Sequence, residues 1–384
     1  MDLFIIATDQ MSFAMETTAI NLAPCQQQAI ESVRVEAVDL KPESQSTLSH
    51  IFRMSNLSEL DISETREAIK HHARVVLHFH PDRPAGGRLV AQALLEDGIY
   101  KTQFETGISN GLVAAQPGSL RDEWERHLFQ GAYQMDGVTA SQRPRYGALD
   151  LVRNAEGPAP RFGSCFFVLK PHVTMRSTFT FGGSQEKPKY QGTADELDAI
   201  LAALMEESFT RDFALGVEKM RPRQLFERLG DLKKDFHDLY DSRVAAHNLD
   251  HMIEAQIHGE VLLGRDVDAL VVDPAFRDTT VGQHLCDMAS VYGFSIRYHG
   301  GFALRTEEVP PDFRGPTMPS LAKRIAGPNG LVDAACLGIA VQSLTENPKL
   351  WEDRGKFANV LQELKLMWHV LVKYGRPLVE VIDS

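Results

Sequence analysis

The middle of the chain is a series of short apolar or alternating segments between glycines and prolines, and this pattern requires a fold built on a β-sheet. Residues 164–170 are mainly apolar, and residues 178–181 alternate threonine with phenylalanine. Alternation with period two is typical of a half-buried strand. Residues 75–79 are a further mainly apolar segment of strand length, and residues 253–257 alternate apolar with polar side chains. The sequence therefore predicts a central sheet.

Helical patterns lie around and between these strands. Asp61 and Ser63 favour a helix start before residue 64, and Thr193 with Glu196 forms a capping-box pattern before an apolar helical stripe. We predict an α+β fold with a mixed or split β-sheet core. The predicted parts are a helical or partly disordered leader over 1–60, a catalytic-like core over 61–310 and a C-terminal helical extension over 311–384.

Charge and hydropathy exclude several classes of protein. The 384 residues carry a net charge of -12, so we expect no unassisted binding to nucleic acid. The sequence contains no run of about 18 apolar residues, so it predicts no membrane-spanning helix. The N-terminus lacks the pattern of a secretory signal. We expect a cytoplasmic protein, or one delivered from the cytoplasm by a dedicated secretion system, and four widely spaced cysteines that stay reduced.

A polar cluster follows the first predicted strand. It contains His78, His80, Asp82 and Arg83. Side chains that follow a strand are fixed by the sheet and remain accessible from the loop. Two histidines that are two residues apart project to the same side of a strand, so His78 and His80 could share a metal ion. The alternatives are substrate binding without a metal, or one buried structural histidine and one surface histidine.

A second cluster lies on the late strand. Glu254 and Gln256 would share one face, and Ile253 and Ile257 would share the other. A carboxylate held at a cleft wall can act as a general base or stabilise a cationic transition state. The alternative is the solvated outer face of an edge strand.

Glycine-rich turns with arginine and serine form a third set. Arg161 and Ser164 flank Gly163, and Gly183 and Ser184 follow the alternating strand. Glycines allow a close approach of the backbone to a ligand, and arginine binds phosphate through two parallel hydrogen bonds. None of these turns matches a dinucleotide-binding or Walker motif. Hairpin turns explain such glycines equally well.

Several long strings of residues closely resemble a bacterial family that is known only as a domain of unknown function. The resemblance covers roughly residues 60–320 and supplies no activity. Its strings are His78-Phe79-His80-Pro81-Asp82-Arg83, Gln103-Phe104-Glu105-Thr106-Gly107, Trp124-Glu125, Arg143-Pro144, Arg161-Phe162-Gly163-Ser164-Cys165 and Glu254-Ala255-Gln256-Ile257-His258-Gly259.

The stretch from residue 146 to residue 259 also resembles toxin-like domains at the ends of some phage head proteins. Those domains usually have aspartate at the position of Gly183, so no acidic role is implied there. The order of the parts is similar to that of ADP-ribosyltransferases. In that order a first strand ends in histidine or arginine, a middle strand bears tyrosine or serine, and a late strand bears glutamate.

This resemblance implies an NAD-consuming mono-ADP-ribosyltransferase, with a toxin or effector role. The acceptor would be a protein, and no metal is implied. Breaking the bond between nicotinamide and ribose passes through a cationic state that needs nearby negative charge. Glu254 would then bind the ribose 2′-hydroxyl and stabilise the cation, and Gln256 would position the acceptor.

The remaining implied roles concern the binding of NAD. Arg83, His78 or His80 would bind the ribose or a phosphate, and Tyr146 or Tyr100 would stack on nicotinamide. Further NAD contacts are expected from Arg161, Ser164 and Ser184.

Two alternatives stay open. One is a metal-dependent hydrolase or nuclease with a divalent metal at His78, His80 and Asp82. The other is a non-catalytic protein whose end segments bind a partner.

Overall fold

A computed structural model describes residues 20–107, 114–236, 243 and 245–382. Its strands, in chain order, are β1 Arg74–Phe79, β2 Pro84–Ala85, β3 Arg88–Leu89, β4 Ile99–Tyr100, β5 Arg145–Asp150, β6 Cys165–Leu169, β7 Ser177–Phe181, β8 Gln191–Thr193, β9 Phe213–Ala214, β10 Val217–Glu218, β11 Ile253–Ile257, β12 Val261–Leu262, β13 Val267–Val272, β14 Ser295–Tyr298, β15 Leu304–Arg305 and β16 Leu331–Val332.

The helices precede, interrupt and follow the strands. In chain order they are α1 Pro24–Asp39, α2 Lys41–Met54, α3 Glu59–His72, α4 Val90–Asp97, α5 Gln103–Thr106, α6 Leu120–Leu128, α7 Pro171–Thr174, α8 Asp198–Arg211, α9 Pro222–Gly230, α10 Leu263–Asp266, α11 Thr280–Tyr292, α12 Met318–Ile325, α13 Ala334–Glu346, α14 Phe357–Tyr374 and α15 Leu378–Ile382.

Eight strands form one mixed sheet. Their order across it is β14, β13, β6, β1, β5, β11, β7 and β8. Strands β13 and β14 run parallel, and the other neighbours in this sheet run antiparallel. The predictions of an α+β fold, of a mixed sheet and of helices at both ends are therefore confirmed.

The sheet is locally divided between β1 and β5. Their ladder pairs Arg74 with Asp150 and continues only as far as the pair Val76 and Ala148. On its other side β1 stays paired with β6 as far as Phe79. The second half of β1 is therefore free of the β5 ladder.

One face of the sheet packs into the main hydrophobic core. This core includes Leu77 of β1 and Phe167 of β6, and it extends from Leu48 in α2 to Val372 in α14. Burial of apolar area is the main stabilising term in such a core. The helices before and after the sheet thus share one core with it. Residues 1–19 of the predicted leader lie outside the described residues.

Helix starts follow local capping chemistry. Helix α3 begins at Glu59, earlier than the predicted start near Asp61 and Ser63, because Ser58 is its cap. The Ser58 hydroxyl accepts a hydrogen bond from the Asp61 backbone N–H, and Asp61 accepts one from the Ser58 backbone N–H. The predicted capping box at Thr193 closes a turn with Glu196, and the helix itself starts at Asp198.

Two predictions from composition concern membranes and disulfides. Within the described ranges, no helix is both long and apolar enough to cross a bilayer. The four cysteines are unpaired, as expected.

Gly163 allows the loop before β6 to lie directly against β1, and this contact generates a prediction. A Cβ atom at Gly163 would overlap the backbone of Phe79, whereas a Cβ at Gly230 would meet nothing within 4 Å. Gly163→Ala should lower the free energy of unfolding by about 3 kcal/mol or more, because neither backbone can move away.

Chemical denaturation measures this effect. Gly230→Ala, at the end of α9, is the control and should change stability by about 1 kcal/mol at most. Equal effects of the two substitutions would contradict the close packing of Gly163.

Candidate functional site

Strand β11 carries the candidate site and lies inside the sheet. Its neighbours are β5 and β7, and Glu254 is opposite Ala148 on one side and Thr180 on the other. Ile253 and Ile257 are buried in the main core, so Glu254 and Gln256 occupy the opposite face. The predicted arrangement of faces is confirmed. The alternative of an edge strand is wrong.

The Glu254 carboxylate is buried, with 7% of the residue exposed. Its Oε1 accepts hydrogen bonds from the Ser184 backbone N–H at 3.2 Å and from Gln256 Nε2 at 3.1 Å. Burial raises the pKa of Glu254, while the hydrogen bonds of Ser184 and Gln256 and the charge of Arg121 oppose that shift. Three residues predicted from the sequence, Glu254, Gln256 and Ser184, therefore meet here.

Gln256 is held by the two threonines of β7. Its Oε1 accepts from Thr178 Oγ1 at 2.9 Å, and its Nε2 lies 3.3 Å from Thr180 Oγ1. Thr178 Oγ1 also lies 3.1 Å from His258 Nε2. These contacts fix the amide so that its N–H groups are directed at Glu254 and Thr180.

Tyr146 extends the site from β5 to helix α6. Its hydroxyl donates to Glu125 Oε1 at 2.8 Å. Arg143 Nη1 donates to Glu125 Oε2 at 2.7 Å and pairs with Asp122 at 2.6 Å. Burial raises the pKa of Glu125 to about 7, against the opposing effects of Arg143 and Tyr146. This network attaches α6 to the sheet beside Glu254.

Arg121 and Trp124 form a half-exposed rim with Tyr146. The Arg121 guanidinium lies 5.6 Å from the centre of the Trp124 ring and 5.7 Å from that of Tyr146. Its charge opposes the rise that burial causes in the pKa of Glu125 and in that of Glu254. Arg121 was not predicted from the sequence. The available signal was its spacing of four from Glu125, which places both residues on one face of a helix.

His78 lies on the same sheet face as Glu254, two strands away. Val76 is opposite Ala148, and Ala148 is opposite Glu254, so these residues share a face with His78. Two strand spacings, about 10 Å, separate Val76 from Glu254, and His78 lies two residues further along β1. The ring of His78 packs against Phe166, with ring centres 4.9 Å apart.

Both ring nitrogens of His78 are engaged by the backbone. Its Nδ1 lies 3.2 Å from Gly163 O, and the Ala159 N–H donates to Nε2 at 3.2 Å. Burial lowers the pKa of His78 to about 3, so the ring is neutral. A neutral ring with both nitrogens bonded has no free position for a metal or a substrate. His78 therefore holds the 159–163 loop in place.

The other residues after β1 lie toward the C-terminal helices. The His80 ring stands edge-on to Trp368, with ring centres 5.2 Å apart. Asp82 is buried against Gly338 of α13, and Arg83 Nη1 is 3.5 Å from Asp82 Oδ1. Among the described residues, no hydrogen bond or ion pair links His80, Asp82 or Arg83 to Glu254, and no group of three or more His, Cys, Asp or Glu is arranged to bind a metal.

Within the described part of the chain, three further residues that were predicted to contact NAD form no hydrogen bond or ion pair with Glu254. Tyr100 packs its ring at a right angle to Phe167 in the main core, on the sheet face opposite Glu254. Arg161 forms an ion pair with Asp250. The Ser164 carbonyl lies 2.9 Å from His299 Nε2. The sheet thus separates Tyr100 from Glu254, and Arg161 and Ser164 flank the loop that His78 holds.

The buried neutral histidines predict a loss of stability in mild acid. His258 resembles His78, because its ring nitrogens contact Tyr133 and Thr178 and burial lowers its pKa to about 3. The unfolded histidines have a pKa of about 6.5, so below that pH the unfolded chain binds more protons. Each histidine should cost about 2 kcal/mol of unfolding free energy between about pH 7 and about pH 5.

Urea denaturation at a series of pH values measures this dependence. His78→Gln should flatten the profile over this pH range, because the glutamine amide does not titrate. An unchanged slope in the variant would contradict the neutral, buried state of His78.

Comparison with known proteins gives a family and no activity. A search of curated proteins found no match. Residues 74–374 match the family described as protein of unknown function (DUF3626), and the match extends through α14, beyond the expected limit near residue 320. Because this match covers well over half of the sequence, the chain belongs to the DUF3626 family.

Proposed function

We propose that the protein is an NAD-consuming mono-ADP-ribosyltransferase in which Glu254 is the central catalytic residue. The observation that carries the proposal is the buried Glu254 carboxylate, held by Ser184 and Gln256 beside the half-exposed rim of Arg121 and Tyr146. The proposal includes a toxin or effector role and a protein acceptor, and both rest on the resemblance to ADP-ribosyltransferases.

The proposed reaction is a substitution at the ribose C1′ carbon. The bond between C1′ and the nicotinamide nitrogen breaks, and neutral nicotinamide leaves with the bonding electron pair. A nucleophile of the acceptor then forms a new bond to C1′ and releases its proton. Positive charge develops on the ribose in between, and a fixed carboxylate stabilises that charge without reorganisation.

The environment of Glu254 suits this task. The carboxylate has to be ionised, and burial alone would keep it protonated. The hydrogen bonds of Ser184 and Gln256, together with the charge of Arg121, act against protonation. Removal of Arg121 would therefore favour the inactive protonated form.

The rim provides surfaces for a flat heteroaromatic group. Tyr146 and Trp124 both contact the Arg121 guanidinium through their ring faces. Stacking of a nicotinamide ring on Tyr146 agrees with the role expected for that residue. Gln256 is engaged by Thr178, Thr180 and Glu254, so its proposed role is to orient the carboxylate.

Release of nicotinamide from NAD by the purified protein tests the proposal. Glu254→Gln should reduce that rate by about 100-fold or more, because it removes the negative charge and keeps the shape. The rate is measured by chromatography of nicotinamide, with and without a lysate as a source of acceptor.

Glu156→Gln is a matched control. Glu156 is also buried, and its Oε1 accepts from the backbone N–H groups of Ala246 and His247 at 2.6 and 2.9 Å. This variant should retain the wild-type rate. A wild-type protein that releases no nicotinamide under any of these conditions, or equal rates in Glu254→Gln and wild type, would reject the proposed function.

A further inference from the structure

Four basic side chains interact where the 159–163 loop meets helix α14, because the charges of Arg161 and Arg314 act on both Lys365 and His369. Arg161 comes from the loop, Arg314 from the connection before α12, and Lys365 and His369 from α14. Lys365 and His369 are four residues apart and share a helix face. Trp368 Nε1 donates to Pro160 O at 2.8 Å, which fixes the loop against this helix.

Much of the hydrogen-bonding capacity in this cluster is unused. His369 is only 1% exposed, yet neither of its ring nitrogens has a hydrogen-bond partner. The buried Nε atoms of Arg161 and Arg314 also have no partner. Buried polar groups in folded proteins nearly always have partners, so these atoms offer hydrogen bonds to a ligand.

The charges of the cluster are poorly balanced. Arg161 pairs with Asp250, whereas no ion pair with a described residue is formed by Arg314 or Lys365. Burial, together with the charges of Arg161 and Arg314, lowers the pKa of Lys365 to about 8 and that of His369 to about 3. The cations therefore repel one another. In a chain with net charge -12, such a concentration of positive charge favours an anion.

We propose that Arg161, Arg314, Lys365 and His369 form a binding site for a phosphate group. Guanidinium groups bind phosphate oxygens through parallel hydrogen bonds, and an ammonium supplies a point charge. A neutral histidine adds one N–H donor. The set thus offers several donors from three different segments to one multiply charged anion.

The phosphate site lies close to Glu254. Phe162, next to Arg161, packs with Ala148 and Met252, and Ala148 is the cross-strand partner of Glu254. Asp250, the partner of Arg161, precedes Glu254 by four residues, so their Cα atoms are at most about 14 Å apart. A dinucleotide can span that separation. Assigning the bound group to the diphosphate of NAD rests on the proposed function, whereas phosphate binding itself does not.

Calorimetric titration with inorganic phosphate, pyrophosphate and ADP-ribose, at matched ionic strength, tests the site. Pyrophosphate and ADP-ribose should bind the wild-type protein, and the double variant Arg314→Gln/Lys365→Gln should weaken their binding by about tenfold or more for each cation removed. Lys373→Gln, on an exposed position of the same helix, is the control and should bind as the wild type does. Tighter binding of ADP-ribose than of pyrophosphate would identify a nucleotide ligand, and the reverse would identify a free phosphate ion.

Thermal melting provides a second measurement that guards against misfolding. Removing a repelling cation should leave the melting temperature of the unliganded double variant unchanged or raise it. Pyrophosphate should raise the melting temperature of the wild type and not that of the variant. Absence of binding to the wild type, or equal binding by wild type and double variant, would overturn the inference.

The test of the phosphate site and the test of the transferase activity can fail independently of each other. Glu254→Gln should retain ADP-ribose binding while it loses nicotinamide release. A protein that binds pyrophosphate through these residues but leaves NAD intact would keep the phosphate site and reject the transferase. A protein that cleaves NAD with the same KM in the double variant and in the wild type would keep the transferase and reject the site.

Discussion

The polar face of strand β11 is buried inside the sheet, so each of its side chains needs a hydrogen-bond partner. An unpaired polar group in this position would cost about 1–3 kcal/mol. The partners form a continuous chain from Glu254 through Gln256 and Thr178 to His258. Much of the geometry of the site follows from this requirement, because the same bonds that stabilise the strand also orient the carboxylate.

The same requirement explains how α6 and the 159–163 loop are positioned. Glu125 reaches the sheet through Tyr146 and Arg143, and His78 binds the loop through both ring nitrogens. In each case a polar group beside the sheet fixes a neighbouring segment by hydrogen bonds. The site residues are therefore held by hydrogen bonds as much as by packing.

The sequence predicts those parts of the site that depend on local periodicity. The period-two alternation correctly places Glu254 and Gln256 on one face, because side-chain direction in a strand is set by the strand itself. The role of His78 was not predictable in this way. Its partners Ala159 and Gly163 are 81 and 85 residues away, and only the tertiary fold brings them together.

The C-terminal helices show the same limit. Their apolar stripes predict helices, which the structure contains as α13 and α14. Their contribution to polar clusters depends on how they dock, and Lys365 and His369 had no local signal. Ser184 was found from its glycine turn, and it acts on Glu254 through both its side chain and its backbone N–H.

The hydrogen bond from Trp368 to Pro160 has a mechanical consequence. The loop next to Pro160 is bound to β1 through His78, so helix α14 and the centre of the sheet are joined by one short, rigid chain of contacts. A hinge between the two would have to break buried bonds at both ends. Any adjustment that admits a bulky ligand is therefore expected at the rim, through rotation of the half-exposed Arg121 and Trp124 side chains.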